Sequence, residues 1–163
     1  MNVTGMSIAA VVAASAVAGE ASRAVSGAPT VERSALICRI STTTRVAFLT
    51  FDDGPGQYTP AVLDLLREHG IRAVFFVLGE VAQYRTGVLR RIADEGHEIG
   101  NHTWTHRQWY AAEKKAGPQQ LLELMERELV DTERLIGETV STPPRFVRMP
   151  GGFYRTWMNP MLC

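Results

Sequence analysis

The chain has 163 residues, and its 17 lysines and arginines balance its 17 aspartates and glutamates. This length fits one ordinary domain, or a domain with a short leader, and excludes a large second domain. Zero formal net charge provides no long-range attraction to phosphate, so we expect no nucleic-acid partner. The two cysteines, Cys38 and Cys163, form no Cys-x-x-Cys pair and therefore indicate neither a cysteine zinc site nor a redox centre.

Residues 1–44 are predicted to be a leader and linker. Residues 6–18 are apolar and small, and Ala16-Val17-Ala18 resembles a cleavage site, which favours a secretory signal peptide. The stretch is shorter than the about 20 apolar residues of a membrane span, so we expect no stable span. These features predict a secreted or cell-envelope protein. Residues 1–5 contain no lysine or arginine, which leaves an alanine-rich leader on a cytoplasmic protein as the alternative.

Short apolar runs alternate with helical patterns in the rest of the chain. The first helix is predicted to start at Thr59-Pro60, with Thr59 as its N-cap, and to close at Gly70. Helical spacing recurs over residues 81–92 and 119–136. This alternation predicts an α/β fold with parallel strands, open or barrel-like. The predicted strands are 45–51, 73–78, 97–100 and 146–148.

Polar side chains follow the first, third and fourth predicted strands. They are Asp52 and Asp53, then His102 and His106, then Arg148. Each has an ordinary explanation alone: Asp-Asp-Gly-Pro is typical of a turn, a histidine pair is often surface decoration, and an arginine is often solvated. Because loops beyond the carboxyl ends of parallel strands build active sites in such folds, their joint occurrence indicates one site.

Two imidazoles and one carboxylate are a ligand set for a divalent metal such as zinc, with one position open for water. Such a metal lowers the pKa of its water from 15.7 to about 7 and polarises a carbonyl oxygen. The second carboxylate is then free to act as a base, and a nearby arginine would keep that base ionised. The pattern therefore predicts a hydrolase that attacks its substrate with metal-bound water.

Three segments resemble, in order and spacing, the first three motifs of the polysaccharide deacetylases, which are carbohydrate esterase family four or the NodB homology domain. They are residues 50–55 (Thr-Phe-Asp-Asp-Gly-Pro), 96–106 (Gly-His-Glu-Ile-Gly-Asn-His-Thr-Trp-Thr-His) and 148–152 (Arg-Met-Pro-Gly-Gly). The resemblance implies the N-terminal part of a distorted (β/α) barrel, about four strand–helix units, in residues 45–163. It also implies a partner: an acetylated glycan such as chitin, chitooligosaccharide, peptidoglycan or xylan.

The resemblance also implies a role for each residue at the site. Asp52 would be the catalytic base, and Arg148 would position it. Asp53, His102 and His106 would bind the metal, Zn²⁺ with Co²⁺ or Ni²⁺ as alternatives. His97 and His69 match no ligand position: we expect His97 to line the third strand and His69 to lie at a helix end. Aromatic residues near the metal loop, Trp104, Trp109 and Tyr110, are expected to pack rather than to stack on a sugar.

Members of the family continue to an Asp-Trp segment and a Leu-x-His segment, whose histidine acts as general acid, and this sequence contains neither. We therefore expect the domain to be incomplete at its C-terminus. A missing proton donor lowers the rate by about 10²- to 10⁴-fold. Three functions follow as hypotheses: a metal-dependent glycan deacetylase, a catalytically incompetent metal- or glycan-binding remnant, and a hydrolase of the same fold that acts on a small cyclic amide.

Overall fold

A computed structural model describes residues 47–158 of the chain. The predicted leader and linker, residues 1–44, lie outside the described residues, as do both cysteines. Within 47–158, no helix combines the length and the apolar character that crossing a membrane requires.

Three parallel strands form the centre of the described fold. Phe75 of the middle strand pairs with Phe51 on one side and with Ile99 on the other. Parallel neighbours need crossover connections, and helices supply both of them. The α/β fold with parallel strands is therefore confirmed. The strands lie side by side in chain order: β1 (Thr50–Gly54), β2 (Val74–Val77) and β3 (Glu98–Asn101).

Two of the predicted strands were wrong in detail. The apolar run predicts a first strand at 45–51, but β1 starts at Thr50 and includes both aspartates. Residues 146–148 make only a single bridge, between Val147 and Asn101, instead of a fourth strand. The reason is that β3 ends at Asn101, and Thr103 then takes a positive φ of 69°, so the backbone offers no further extended residues for pairing.

The described part of the chain contains five α-helices, and two short 3₁₀ turns follow them at Pro150–Gly152 and Thr156–Met158. The helical pattern over 81–92 predicts one helix, whereas the structure has two, because the chain leaves the helix between residues 83 and 85. The pattern over 119–136 corresponds to one long helix, as predicted. The helices are α1 (Thr59–Glu68), α2 (Gly79–Ala82), α3 (Thr86–Asp94), α4 (Trp109–Glu113) and α5 (Pro118–Val140).

The start of α1 differs from the prediction by one residue. Tyr58 occupies the N-cap position, and Thr59 is the first helical residue. The Thr59 hydroxyl accepts a hydrogen bond from the Gly56 amide at 2.9 Å, so it stabilises the preceding turn instead of capping the helix. At the other end, Gly70 has a φ of 62°, the left-handed conformation expected of a closing glycine.

Two apolar clusters hold these elements together. The first packs the sheet against α1, α3 and the end of α5, with Leu63, Val77 and Ile92 fully buried. The second joins α4 and the first half of α5 to residues 149–158, through Trp109, Phe153 and their neighbours. Trp109 is therefore a core residue, as expected. Because Met149 belongs to the second cluster, this packing also fixes the position of Arg148, the residue before it.

Candidate metal centre

The two aspartates lie in an irregular end of β1, not in a loop after it. Between the pairs Phe51–Phe75 and Gly54–Val77, β1 contains two residues and β2 contains one. This extra residue is a β-bulge, a feature that re-aims side chains and is common beside active sites. Asp53 has a φ of 66° in the bulge. The local backbone, and not simple strand alternation, therefore sets the directions of both carboxylates.

One carboxylate and two imidazoles converge at the carboxyl ends of β1 and β3. Asp53 Oδ1 lies 3.4 Å from His102 Nε2 and 3.3 Å from His106 Nε2. The ligand atoms of the three residues all lie within 4.8 Å of one another. Residues 102–107 form a loop and not a helix, so the two histidines meet through a folded-back backbone and not through helical spacing.

Hydrogen bonding fixes the tautomer of His102. Its Nδ1 lies 2.6 Å from the main-chain carbonyl oxygen of Arg148, and a carbonyl only accepts, so Nδ1 carries the proton. Burial lowers the pKa of His102 from its ordinary value of 6.5, which favours the neutral ring. The Nε2 lone pair is then free and faces Asp53. This is the arrangement of a metal-ligating histidine, whose second nitrogen donates to an outer partner.

The donor set at this cluster fits a divalent cation. Asp53 Oδ1 is buried and has no hydrogen-bond partner among the described residues. A buried carboxylate oxygen without a partner is costly unless a donor or a cation satisfies it. Oxygen and imidazole nitrogen together suit zinc and neighbouring transition metals. Three protein ligands would leave a coordination position for solvent or substrate.

The second carboxylate, Asp52, is held by Arg148. The Arg148 guanidinium donates to Asp52 Oδ1 at 2.7 Å and to Thr50 Oγ1 at 3.0 Å. The guanidinium carbon also lies 4.0 Å from the centre of the Phe76 ring, a cation–π distance. Three contacts therefore orient one arginine, which in turn fixes the direction of the Asp52 carboxylate.

Backbone strain is concentrated around the cluster. Four non-glycine residues of the described range have positive φ, and three of them, Asp53 (66°), Thr103 (69°) and His106 (54°), lie in or between the converging residues. The fourth, Ser141, is the C-cap of α5. Positive φ is uncommon outside glycine and costs about 1–3 kcal/mol per residue, so it persists only where the surroundings enforce it. Strain of this kind is typical of functional sites.

Sequence reasoning missed Glu128 on α5. Its side chain is buried, and its carboxylate accepts hydrogen bonds from the loop that carries the two histidines. The sequence contained a signal for this role, namely an acidic residue on the apolar face of a predicted helix. Glu128 falls on the buried face of α5, in register with Leu121, Met125 and Thr132, where an acidic residue requires a buried partner.

The other two histidines lie away from the cluster, as expected. His97 precedes β3, is buried, and its Nδ1 accepts a hydrogen bond from the Ala73 amide at 3.2 Å. His69 is the C-cap residue of α1.

The aromatic residues near the cluster differ in exposure. Tyr110 is about half exposed, while Trp104 packs so closely on α2 that a Cβ at Gly79 would lie 2.1 Å from its ring.

Fold and site together define an α/β protein with a candidate mononuclear metal centre at the carboxyl edge of its parallel sheet. Residues 39–160 match the family model "Polysaccharide deacetylase", and the chain belongs to this family.

Three relatives illustrate the similarity. A peptidoglycan-N-acetylglucosamine deacetylase of Bacillus cereus is 38% identical over 105 residues, which are 64% of this chain and 35% of the relative. A chitooligosaccharide deacetylase of Sinorhizobium fredii is 37% identical over 116 residues, 71% of this chain and 49% of the relative. The solved structure of the peptidoglycan deacetylase PdaC from Bacillus subtilis has a TM-score of 0.65 and 31% identity, and the match covers 76% of this chain and 57% of that one. The chain thus spans about a third to a half of the length of these two sequence relatives.

Proposed function

We propose that this chain is a metal-dependent hydrolase that removes acetyl groups from a glycan. One observation carries the proposal: the buried Asp53 Oδ1, which has no hydrogen-bond partner within residues 47–158, faces the Nε2 atoms of both His102 and His106. Membership of the polysaccharide deacetylase family supports the same reaction class.

In this proposal Asp53, His102 and His106 hold the cation. A divalent ion bound there would lower the pKa of a water and polarise the acetyl carbonyl oxygen. The proton that His102 carries on Nδ1 is engaged by the Arg148 carbonyl, so the ring presents only its Nε2 lone pair to the centre. Zn²⁺ is the first candidate, with Co²⁺ and Ni²⁺ next, because all three accept imidazole and carboxylate ligands.

Asp52 is the proposed base. Its carboxylate lies on the same bulge as Asp53 and would accept the proton of the water that attacks the acetyl carbon. The Arg148 guanidinium, 2.7 Å away, donates to the carboxylate and limits its rotation. Arg148 is a positioning residue in this scheme, since it acts through Asp52.

The proposed substrate is an acetylated glycan, and the names of the relatives favour N-acetylglucosamine polymers. The two sequence relatives are named for peptidoglycan N-acetylglucosamine and for chitooligosaccharide. Both substrate classes point to a place of action in the cell envelope or outside the cell, in keeping with the export predicted from the leader.

A second candidate is binding of metal and glycan without turnover. The sequence contains four histidines, and the two outside the cluster, His69 and His97, lie at the end of α1 and directly before β3. Neither is placed to protonate a departing amine. An absent general acid lowers the rate by about 10²- to 10⁴-fold, so metal binding with little or no acetate release would favour this candidate.

The experiment that separates the two candidates measures Zn²⁺ stoichiometry and acetate release on the same preparation of the full chain. Chitooligosaccharide, peptidoglycan and acetylated xylan serve as substrates for acetate release. The remaining alternative is tested separately, by measuring ring opening of a small cyclic amide. One bound Zn²⁺ and acetate release that Asp52→Asn lowers at least about 100-fold support the deacetylase. The matched control is Asp94→Asn, at an exposed position on α3. Zinc binding without acetate release contradicts the deacetylase proposal and favours the second candidate. Absence of zinc binding contradicts both candidates.

A further inference from the structure

Glu128 connects the long helix α5 to the loop between the two histidines. Its side chain is 6% exposed, yet the described contacts give its carboxylate four donors, all from residues 104–107. Oε2 accepts from the Trp104 amide at 3.1 Å and from the Thr105 amide at 2.9 Å. Oε1 accepts from the Thr105 hydroxyl at 2.6 Å and from Arg107 Nε at 3.3 Å. One buried carboxylate therefore holds residues 104–107, the stretch that contains His106.

This stretch needs an external support, because its backbone is strained at both ends. Thr103 and His106 both have positive φ, and the loop contains no helical or strand hydrogen bonds of its own. Glu128 supplies this support, because its buried carboxylate needs donors and accepts from two consecutive backbone amides, those of Trp104 and Thr105. Removing the carboxylate would take away the acceptor that these donors share, and with it the contacts that hold residues 104–107 in this conformation.

Other contacts hold only the beginning of the loop. The Asn101 side chain accepts from the Thr103 amide at 2.9 Å and donates to the Leu129 carbonyl at 2.9 Å. The first amides of α2 donate to the carbonyls of Thr103 and Trp104, both at 3.1 Å. These contacts fix the loop next to His102. The contacts at Thr105 and Arg107, which flank His106, come from Glu128.

We propose that Glu128 is a positioning residue that holds His106 in the metal centre, through the hydrogen bonds its carboxylate accepts from residues 104–107. This inference rests on the proposed metal site. It assigns the two histidines different supports: His102 depends on β3 and on the Arg148 carbonyl, whereas His106 depends on α5. Loss of Glu128 should then release one ligand and leave the other in place.

The test uses the full chain and compares Glu128→Leu, Glu128→Gln and, as a matched control, Glu126→Gln, at an exposed position of the same helix. Zn²⁺ affinity is measured by competition with a chelating dye, and the melting temperature is measured with and without Zn²⁺. Glutamine keeps one amide oxygen to accept the two backbone amides, so it should retain part of the function. If the leucine variant does not fold, the glutamine variant decides the question.

We expect Glu128→Leu to weaken Zn²⁺ binding about 10- to 100-fold, the usual effect of removing an outer partner of a metal site. Glu128→Gln should weaken it less, and Glu126→Gln should bind as the unmutated chain does. In NMR spectra of the metal-free glutamine variant, the His106 ring signals should shift while those of His97 stay in place.

A residue with a merely structural role would give a different result. It would lower the melting temperature of the metal-free protein but leave the Zn²⁺ affinity and the zinc-induced gain in melting temperature unchanged. That result, in a chain whose unmutated form binds zinc, overturns this inference alone. Absence of zinc binding by the unmutated chain overturns the proposed metal site and this inference with it.

Discussion

His102 donates from Nδ1 to the main-chain carbonyl of Arg148, 2.6 Å away, while the side chain of the same arginine holds Asp52. One residue therefore supports a proposed metal ligand through its backbone and the proposed base through its guanidinium. The two supports are chemically separate, since a side-chain substitution leaves the carbonyl in place. This separation makes the two roles distinguishable by mutation.

Replacing Arg148 by methionine should slow deacetylation without weakening metal binding. Methionine keeps apolar contact with Phe76 but removes the donor to Asp52, and a base misplaced by about 1 Å lowers the rate about 100-fold. The measurement is acetate release by the zinc-loaded chain together with its Zn²⁺ dissociation constant. Arg90→Met, at an exposed position of α3, is the control. A large loss of zinc affinity in Arg148→Met would show that the guanidinium supports the metal centre as well.

Replacing His106 by alanine should weaken Zn²⁺ binding by more than the about 10- to 100-fold expected for an outer partner, because it removes a direct ligand. The fold should be retained, since the His106 side chain is about one-third exposed. Isothermal titration calorimetry with Zn²⁺ measures the effect. His69→Ala, which removes an exposed imidazole at the end of α1, should bind zinc normally. Equal affinities in the two variants would exclude His106 from the site.

Replacing Gly79 by alanine should destabilise the chain. The added Cβ would lie 2.1 Å from Trp104 Cε3 and 2.7 Å from Thr132 Oγ1, and overpacking of this kind costs about 1–3 kcal/mol. Gly87→Ala is the matched control, because nothing lies within 4 Å of a Cβ at that helical position. It should stabilise the fold by about 0.4–1 kcal/mol. Urea unfolding measures both, and two changes of the same sign would contradict the packing described here.

The stability of the metal-free chain should fall as the pH drops below about 6.5. Burial lowers the pKa of His97 from its ordinary value of 6.5, with a smaller opposing effect of Glu95 and a further lowering by Arg72. Between the folded pKa and 6.5 the unfolded chain binds more protons, so acid favours unfolding; above 6.5 the contribution is fully present. His97→Asn keeps an acceptor for the Ala73 amide and removes this titration.

Urea unfolding at pH 8 and at pH 5 tests the role of His97. The unmutated chain should lose more stability between the two values than His97→Asn does. Some acid sensitivity should remain in the variant, because burial also lowers the pKa of His102. Identical losses in the two proteins would show that His97 does not titrate differently on folding.

The alternation of strands and helices and the identity of the converging residues could be predicted from the sequence, because apolar runs and turn residues record them locally. Several details could not, among them the break between α2 and α3 and the short helix α4. Acidic residues are disfavoured in regular strands, so the pattern ends the first strand before Asp52, whereas a bulge accommodates both aspartates within β1. The roles proposed for the site residues stay predictions.

The hydrogen bonds between Glu128 and the loop at residues 104–107 could not be predicted from the sequence pattern either. Helical periodicity shows that residue 128 lies on the buried face of α5, but it does not show which polar groups face it there. Its partners lie 21 to 24 residues earlier in the chain, in a loop whose conformation has no periodic signature.

The fourth predicted strand was also wrong for a reason that the sequence pattern does not contain. Residues 146–148 have the composition of a strand, but the end of β3 at Asn101 limits them to a single bridge.

Arg148 lies 96 residues after Asp52 and 46 residues after His102. During synthesis, the proposed metal ligands Asp53, His102 and His106 therefore leave the ribosome before the residue that accepts the His102 hydrogen bond and holds the Asp52 carboxylate. In the proposed mechanism, a nascent chain without residue 148 would hold a cation but would lack the contact that orients Asp52. Catalytic competence would then depend on the packing of the segment around Met149 against α5.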